Sequence, residues 1–224
     1  MNIYNSFDTV PYIDNAVLAL GSFDGMHLAH RYLVEKVCSS AKQIQGSSVI
    51  VSFISHPRKT ISNDFNYGVL TTQKEKADIL KQLGVENLVF MDFTTEIADM
   101  NYIDFIQFLR EKIKIRKIVL GYNHRFGKNR EGSYPTLLNL GQVLDFEVEE
   151  IEKQTVEGIG ISSSAIRTAL LCGDVETANK LLGYNYNVSI QISGGKEITL
   201  LDKDKILPAN GCYSVRIDDF SVVS

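Results

Sequence analysis

The 224-residue sequence has few cysteines, few prolines, no tryptophan and no surplus of basic residues. Its three cysteines, Cys38, Cys172 and Cys212, are widely spaced and odd in number. This pattern argues against a disulfide framework and predicts free thiols in a reducing compartment. Lys and Arg total 23 against 27 Asp and Glu, a net charge of -4. That balance argues against a general nucleic-acid-binding protein.

Long apolar runs are also missing from the sequence. No stretch approaches the roughly 20 residues that a membrane-spanning helix needs. Residues 1–5 lack the basic and apolar regions of a signal peptide. These absences predict a cytoplasmic protein without a membrane partner. The length suits one α/β domain with a small appendage.

Segments with strand and helix patterns alternate along most of the chain. Apolar runs predict strands at 16–20, 48–53, 85–93, 117–121 and 146–151, and helical spacing predicts helices at 32–44, 72–83, 102–113 and 136–144. In the third helix we expect Ile103, Phe105, Ile106 and Leu109 to face inward. The alternation predicts a doubly wound parallel sheet, with ligands bound at the carboxyl ends of its strands.

Residues 21–30 follow the first predicted strand and combine glycines with a pair of histidines. Asp24 is a suitable N-cap for the helix that opens here, which would place His27 and His30 on one face of its first turn. Free backbone N–H groups and the helix dipole favour an anion at that point. We therefore predict a phosphate site. Metal ligation by this pair is not expected, because no cysteine or third histidine is close in sequence.

Three further stretches lie at predicted strand ends or at a helix start. Residues 53–58 form a loop with a proline, which alone indicates no more than a turn. The loop at 121–132 has glycines that admit a ligand, arginines that suit phosphate, and Asn123, whose amide suits a heterocycle. The serines at 162–164 can cap a helix and still donate to phosphate oxygens, and Arg167 reaches the same point one turn later.

These motifs together resemble those of a known family. Residues 21–30 are similar to the nucleotidylyltransferase signature Gly-x-Phe-Asp-x-x-His-x-Gly-His, with Ala29 in place of a glycine. Residues 53–57, 121–127 and 161–167 resemble Phe-x-Pro-His-Pro, Gly-x-Asn/Asp-Phe-x-Phe-Gly and Ile-Ser-Ser-Thr-x-Ile-Arg, with departures at Ser55, His124 and Ser164. The combination looks most like the bacterial FAD synthetase module, which is normally fused to a riboflavin kinase.

The resemblance implies a Rossmann-like nucleotidylyltransferase fold and transfer of AMP from ATP to FMN, giving FAD and pyrophosphate, with Mg²⁺ bridging the phosphates. Asp24 would hold the first turn, or touch the ribose or the metal, and no side chain is assigned as a direct metal ligand. The catalytic residues implied are His27, His30 and Arg167. Those implied for ATP are Gly21, Ser22, Phe23, Asp24, Gly25, Ser162, Ser163 and Ser164. Those implied for the flavin are Phe53, His56, Pro57, Asn123, Arg125 and Phe126.

After Gly183 the pattern changes to short runs of alternating polar and apolar residues. We predict strands at 187–192, 196–201, 211–217 and 219–222. The expected division is an FMN adenylyltransferase-like domain at 1–183 and a β-rich tail at 184–224, which packs on the domain because about forty residues form little core of their own. Residues 207–213 resemble part of the riboflavin kinase barrel. The kinase hallmark Gly-x-Pro-Thr-x-Asn does not occur in the sequence, so kinase activity is not expected.

Two alternatives stay open on the sequence. Another phosphorylated acceptor, such as a phosphopantetheine, a nicotinamide mononucleotide or, with CTP, a glycerol phosphate, would use the same histidine pair. A non-catalytic protein that binds flavin nucleotides is suggested by Ala29, Ser55 and the short tail, whereas four histidines at motif positions favour an enzyme. An aminoacyl-tRNA synthetase fragment is less favoured, because neither an anticodon domain nor a basic surface is evident. The sequence predicts no oligomeric state.

Overall fold

A computed structural model describes residues 1–54, 68–193 and 197–217. Its centre is a six-stranded parallel sheet in the order β1-β4-β3-β2-β5-β6. The strands are β1 (Asn2–Tyr4), β2 (Ile13–Leu20), β3 (Ser47–Phe53), β4 (Asn87–Met91), β5 (Ile113–Leu120) and β6 (Glu147–Glu150). The predicted doubly wound α/β class is confirmed. The edge strand β1 was not predicted, because three residues are too few to show a strand pattern.

Seven α-helices lie within the described residues. They are α1 (Leu28–Gln43), α2 (Gln73–Gln82), α3 (Thr95–Asp99), α4 (Tyr102–Arg110), α5 (Tyr134–Leu144), α6 (Ser163–Leu171) and α7 (Val175–Leu182). Thr72 and Glu75 form a capping box at the start of α2, the helix that was predicted at 72–83. Pro135 lies in the first turn of α5, as expected for a residue that lacks a backbone N–H.

Helices cover both faces of the sheet. Successive side chains of a strand point to opposite faces, so each strand contributes to two separate clusters. Leu18 and Leu20 of β2 belong to a cluster with helices α4 and α5, whereas Val17 and Ala19 belong to a cluster with α1 and α2. Helices α6 and α7 form a third cluster around Leu70. This packing explains why residues 16–20 of β2 are all apolar.

One inward-facing residue was predicted wrongly. Ile103 in α4 is 38% exposed, whereas Phe105, Ile106 and Leu109 are buried. At 3.6 residues per turn, Ile103 lies roughly 110° around the helix from the middle of that buried stripe.

The tail after α7 contains one antiparallel pair, β9 (Ile190–Ser193) with β10 (Glu197–Leu200). The strand predicted at 211–217 is wrong, because these residues pair with no strand of the described chain. The strand predicted at 219–222 lies outside the described residues. Residues 204–209 of the tail contact the main domain through backbone hydrogen bonds. Val69 donates its N–H to Asp204 and accepts that of Ile206, and Ala209 donates to Leu170. This part of the tail therefore packs on the α/β layers, while the proposed division at residue 183 stays a prediction.

The strand order determines where a ligand can bind. From the central strand β2 the chain moves to β3 and β4 on one side, and it later places β5 and β6 on the other. Loops that follow β2 and β5 therefore lead away in opposite directions and leave a crevice at the carboxyl ends of these strands. Two short strands, β7 (Thr155–Val156) and β8 (Ile159–Gly160), then lead into α6.

Candidate active site

The turn after β2 differs from the prediction, because Asp24 is not the N-cap of α1. The helix begins at Leu28, and its N-cap is His27, whose Nδ1 accepts the backbone N–H of His30 at 3.3 Å. Phe23, Gly25 and Met26 have φ values of +48°, +88° and +39°, in the left-handed region. Such conformations cannot belong to a right-handed helix, so they delay its start.

Asp24 has a different role in this turn. Its carboxylate is buried, and Oδ1 accepts the backbone N–H groups of Leu70 at 2.9 Å and Thr71 at 3.1 Å. Its other oxygen forms an ion pair with Arg167 of α6. Ser163 donates its hydroxyl to the backbone oxygen of Asp24 at 2.7 Å. Asp24 therefore joins the turn to two segments that are distant in sequence.

Arg167 is only 8% exposed, and its contacts lie within the protein. Besides Asp24, its guanidinium donates to the backbone oxygens of Gly68 at 3.1 Å and Ser163 at 3.4 Å. In this arrangement the guanidinium neutralises a buried carboxylate. The helix start itself is capped by Ser162, whose Oγ accepts the backbone N–H of Ala165 at 3.2 Å. The exposed hydroxyls at this helix start are those of Ser162 and Ser164.

The two histidines of the turn are stacked, with ring centroids 3.6 Å apart and planes 12° from parallel. Burial lowers the pKa of His27 to about 4. Burial, together with the charges of His27, Lys76 and His124, holds the pKa of His30 well below its ordinary value. Both rings are therefore neutral at pH 7. Because Nδ1 of His27 accepts a hydrogen bond, its proton is on Nε2, which makes that nitrogen a donor.

Lys76 of α2 contacts the turn after β2, and the sequence analysis did not predict it as a site residue. Its Nζ donates to the backbone oxygen of Ser22 at 2.7 Å and to Oγ of Ser52 at 2.9 Å. Burial lowers its pKa to about 8, against an opposing effect of Asp24. One sequence signal could have identified Lys76: it lies beside Ala77 on the apolar face of α2. A lysine at such a buried position needs a polar partner. Lys76, Ser22 and Asp24 border a cavity of about 500 Å³.

Four of the six flavin residues implied by the resemblance are described, and they lie around the ends of β3 and β5. Asn123 and Arg125 are exposed, and the backbone N–H of Asn123 donates to Glu150 at 3.1 Å. Phe126 packs against Phe105 in the core, with ring centroids 5.9 Å apart. The ring of Phe53 meets that of Phe93 edge-on at 5.0 Å. His56 and Pro57 lie outside the described residues.

His124 is brought to the histidine pair by the fold. A Cβ atom built on Gly21 would lie 3.8 Å from its Cε1, so the loop after β5 touches the turn after β2. The sequence did not predict this approach, because His124 is far from His27 and His30 along the chain. Among the described residues, no group of three or more His, Cys, Asp or Glu side chains is arranged to hold a metal ion.

A helix start with a neutral histidine pair, in the crevice of a parallel α/β sheet, is typical of a site for a phosphate or a nucleotide. The family model described as FAD synthetase matches residues 10–165. The chain belongs to the FAD synthetase family. This membership identifies an enzyme and argues against the non-catalytic interpretation.

Relatives with similar sequences are described as bifunctional riboflavin kinase/FMN adenylyltransferases. One from Listeria monocytogenes is 32% identical, over 90% of this chain and 68% of the relative. One from Bacillus subtilis is 33% identical, over 91% of this chain and 67% of the relative. The similarity therefore spans about two thirds of each relative.

Solved structures also resemble the chain. One described as a macrolide-efflux protein from Streptococcus pneumoniae has a TM-score of 0.85 at 27% identity, covering 94% of this chain and 82% of that one. A pantothenate synthetase from Thermus thermophilus has a TM-score of 0.51 at 17% identity, covering 81% of this chain and 71% of that one, and shows a shared fold alone.

Within the described residues, no helix has the length and apolar character needed to cross a membrane.

Burial of His27 predicts how stability depends on pH. Its pKa is about 4 in the folded chain against an ordinary 6.5, so between these values the unfolded chain binds more protons. Stability is therefore fully present above pH 6.5 and falls as the pH drops towards 4, by about 3 kcal/mol for this residue. Urea unfolding of the wild type and of His27→Asn across this range should show a shallower decline in the variant. Equal slopes would contradict the assignment.

Proposed function

We propose that this chain transfers AMP from ATP to FMN, giving FAD and pyrophosphate. The observation that carries the proposal is the stacked pair of neutral histidines where α1 begins, in the crevice beside β2. Membership of the FAD synthetase family supports the reaction, and the names of the relatives support ATP and FMN as substrates.

The reaction needs no nucleophile from the enzyme. An oxygen of the FMN phosphate attacks the α-phosphorus of ATP, a new P–O bond forms, and the bond to the leaving pyrophosphate breaks. Catalysis of this kind depends on positioning and on stabilising charge on the phosphates. The N–H groups of His27 and His30 and the start of α1 would supply donors to the α- and β-phosphates. Mg²⁺ is the proposed metal: it would be held mainly by the phosphates themselves, and it would neutralise their charge.

The other residues divide into two groups. Ser162 and Ser164 have exposed hydroxyls at the start of α6 and are suited to the β- and γ-phosphates. Ser163 and Arg167 are occupied with Asp24 and act as positioning residues that hold the turn. Gly21, Ser22, Phe23 and Gly25 form the turn around the nucleotide.

The flavin end is proposed to lie at the carboxyl ends of β3 and β5. Asn123 and Arg125 present an amide and a cation from the loop after β5, and both are exposed. Phe53 and Phe126 are half-buried aromatic residues near the same strand ends. An amide beside aromatic rings suits a planar heterocycle.

The first experiment measures turnover. Purified protein with ATP, FMN and Mg²⁺ should form FAD and release pyrophosphate. His27→Asn should lower kcat about a hundredfold, as the loss of an oxyanion donor does, while asparagine still caps the helix. The control is Asp174→Asn, which exchanges the exposed N-cap of α7 and should leave the rate unchanged.

The result that would contradict the proposal is no FAD at saturating ATP. Nicotinamide mononucleotide and a phosphopantetheine are tested in parallel as acceptors. Faster pyrophosphate release with either of them would reassign the acceptor while keeping nucleotidyl transfer.

A second experiment concerns riboflavin. We expect this chain to make no FMN from riboflavin, ATP and Mg²⁺, because kinase chemistry needs its own phosphate site and a base near the ribityl hydroxyl. Gly-x-Pro-Thr-x-Asn is absent from the sequence, and the strands described in the tail are a single hairpin. Separation of the flavins by chromatography gives the answer. FMN formed about as fast as FAD from supplied FMN would show the expectation to be wrong.

A further inference from the structure

The proposed function assigns no role to His124. It stands where the related motif has phenylalanine, and it follows β5, the strand next to β2. Because parallel neighbours end at the same edge of the sheet, its loop and the turn with the histidine pair meet. The distance of 3.8 Å from its Cε1 to a Cβ built on Gly21 measures this approach.

Two imidazole nitrogens near this point have unmet hydrogen-bonding capacity. Nε2 of His124 and Nδ1 of His30 are buried, and neither has a hydrogen-bond partner among the described residues. Buried polar atoms are nearly always paired, and an unpaired one costs about 1–3 kcal/mol. Two such atoms on adjoining loops of a crevice indicate that a ligand supplies the missing partners.

The ring of His124 is partly held by aromatic packing. It lies 6.1 Å from the ring of Phe126, with planes 24° apart, which phenylalanine would also permit. Burial and the charge of Arg130 lower its pKa to about 4, so the ring is neutral at pH 7. A neutral imidazole carries one N–H donor, which phenylalanine lacks.

We propose that His124 is a third histidine of the reacting centre and that its ring N–H donates to a phosphate oxygen beside His27 and His30. This inference rests on the proposed adenylyl transfer. The phosphate belongs either to FMN or to the α-position of ATP, since both must meet at this point for transfer to occur.

The kinetic test compares His124→Phe, which keeps an aromatic ring, with His124→Asn, which keeps an N–H donor. His124→Phe should lower kcat/KM at least tenfold, and His124→Asn should retain more of the activity. A larger rise in KM for FMN than for ATP would assign the contact to the FMN phosphate, and the reverse would assign it to ATP. Tyr122→Phe, on the same loop and 51% exposed, is the matched control and should behave as wild type. Wild-type kinetics in His124→Phe would overturn the proposal.

A binding test on the wild type does not depend on turnover or on the stability of a variant. The chain has four histidines, so their ¹⁵N imidazole signals can be assigned by comparison with the single variants. Addition of FMN, or of a non-hydrolysable ATP analogue with Mg²⁺, should shift the His124 signals together with those of His27 and His30. If the pair responds and His124 does not, the proposal fails while the proposed function stands. If no histidine responds and no FAD forms, both fail.

Discussion

The active-site turn depends on one buried ion pair, between Asp24 and Arg167. Their side chains are 4% and 10% exposed, so each charge has lost most of its water and relies on the other. The same carboxylate accepts two backbone N–H groups, and the guanidinium donates to two backbone oxygens. The pair thus fixes the turn after β2, the segment before α2 and the start of α6 against one another.

This constraint explains how an unfavourable backbone is maintained beside the histidines. The left-handed residues of the turn are strained outside glycine, and hydrogen bonds from neighbouring segments hold them. Gly25 donates its N–H to Thr71 at 2.5 Å, and its backbone oxygen accepts the hydroxyl of Tyr184 at 2.8 Å. This turn places His27 at the N-cap of α1 and stacks the ring of His30 on that of His27. Both rings are therefore buried, stacked and neutral at pH 7.

Much of the fold could be predicted from the sequence, because apolar runs and helical spacing are local signals. They located five of the six sheet strands and helix α2. The site was less accessible, since its contacts are distant. Asp24 meets Leu70 at a separation of 46 residues and Arg167 at 143, so a local argument made it a helix cap. The approach of His124 to Gly21 follows from strand order, which periodicity does not encode.

The most direct test of this account is a double-mutant cycle on the ion pair, with Asp24→Asn and Arg167→Met measured by urea unfolding. Asparagine keeps an oxygen for the backbone donors and removes the charge, and methionine fills similar space. Each single change should cost about 3 kcal/mol, since it leaves a buried charge without its partner. The double variant should lose at least about 1 kcal/mol less than the sum of the two. Additive losses, or single variants as stable as wild type, would contradict the claim that this pair holds the turn.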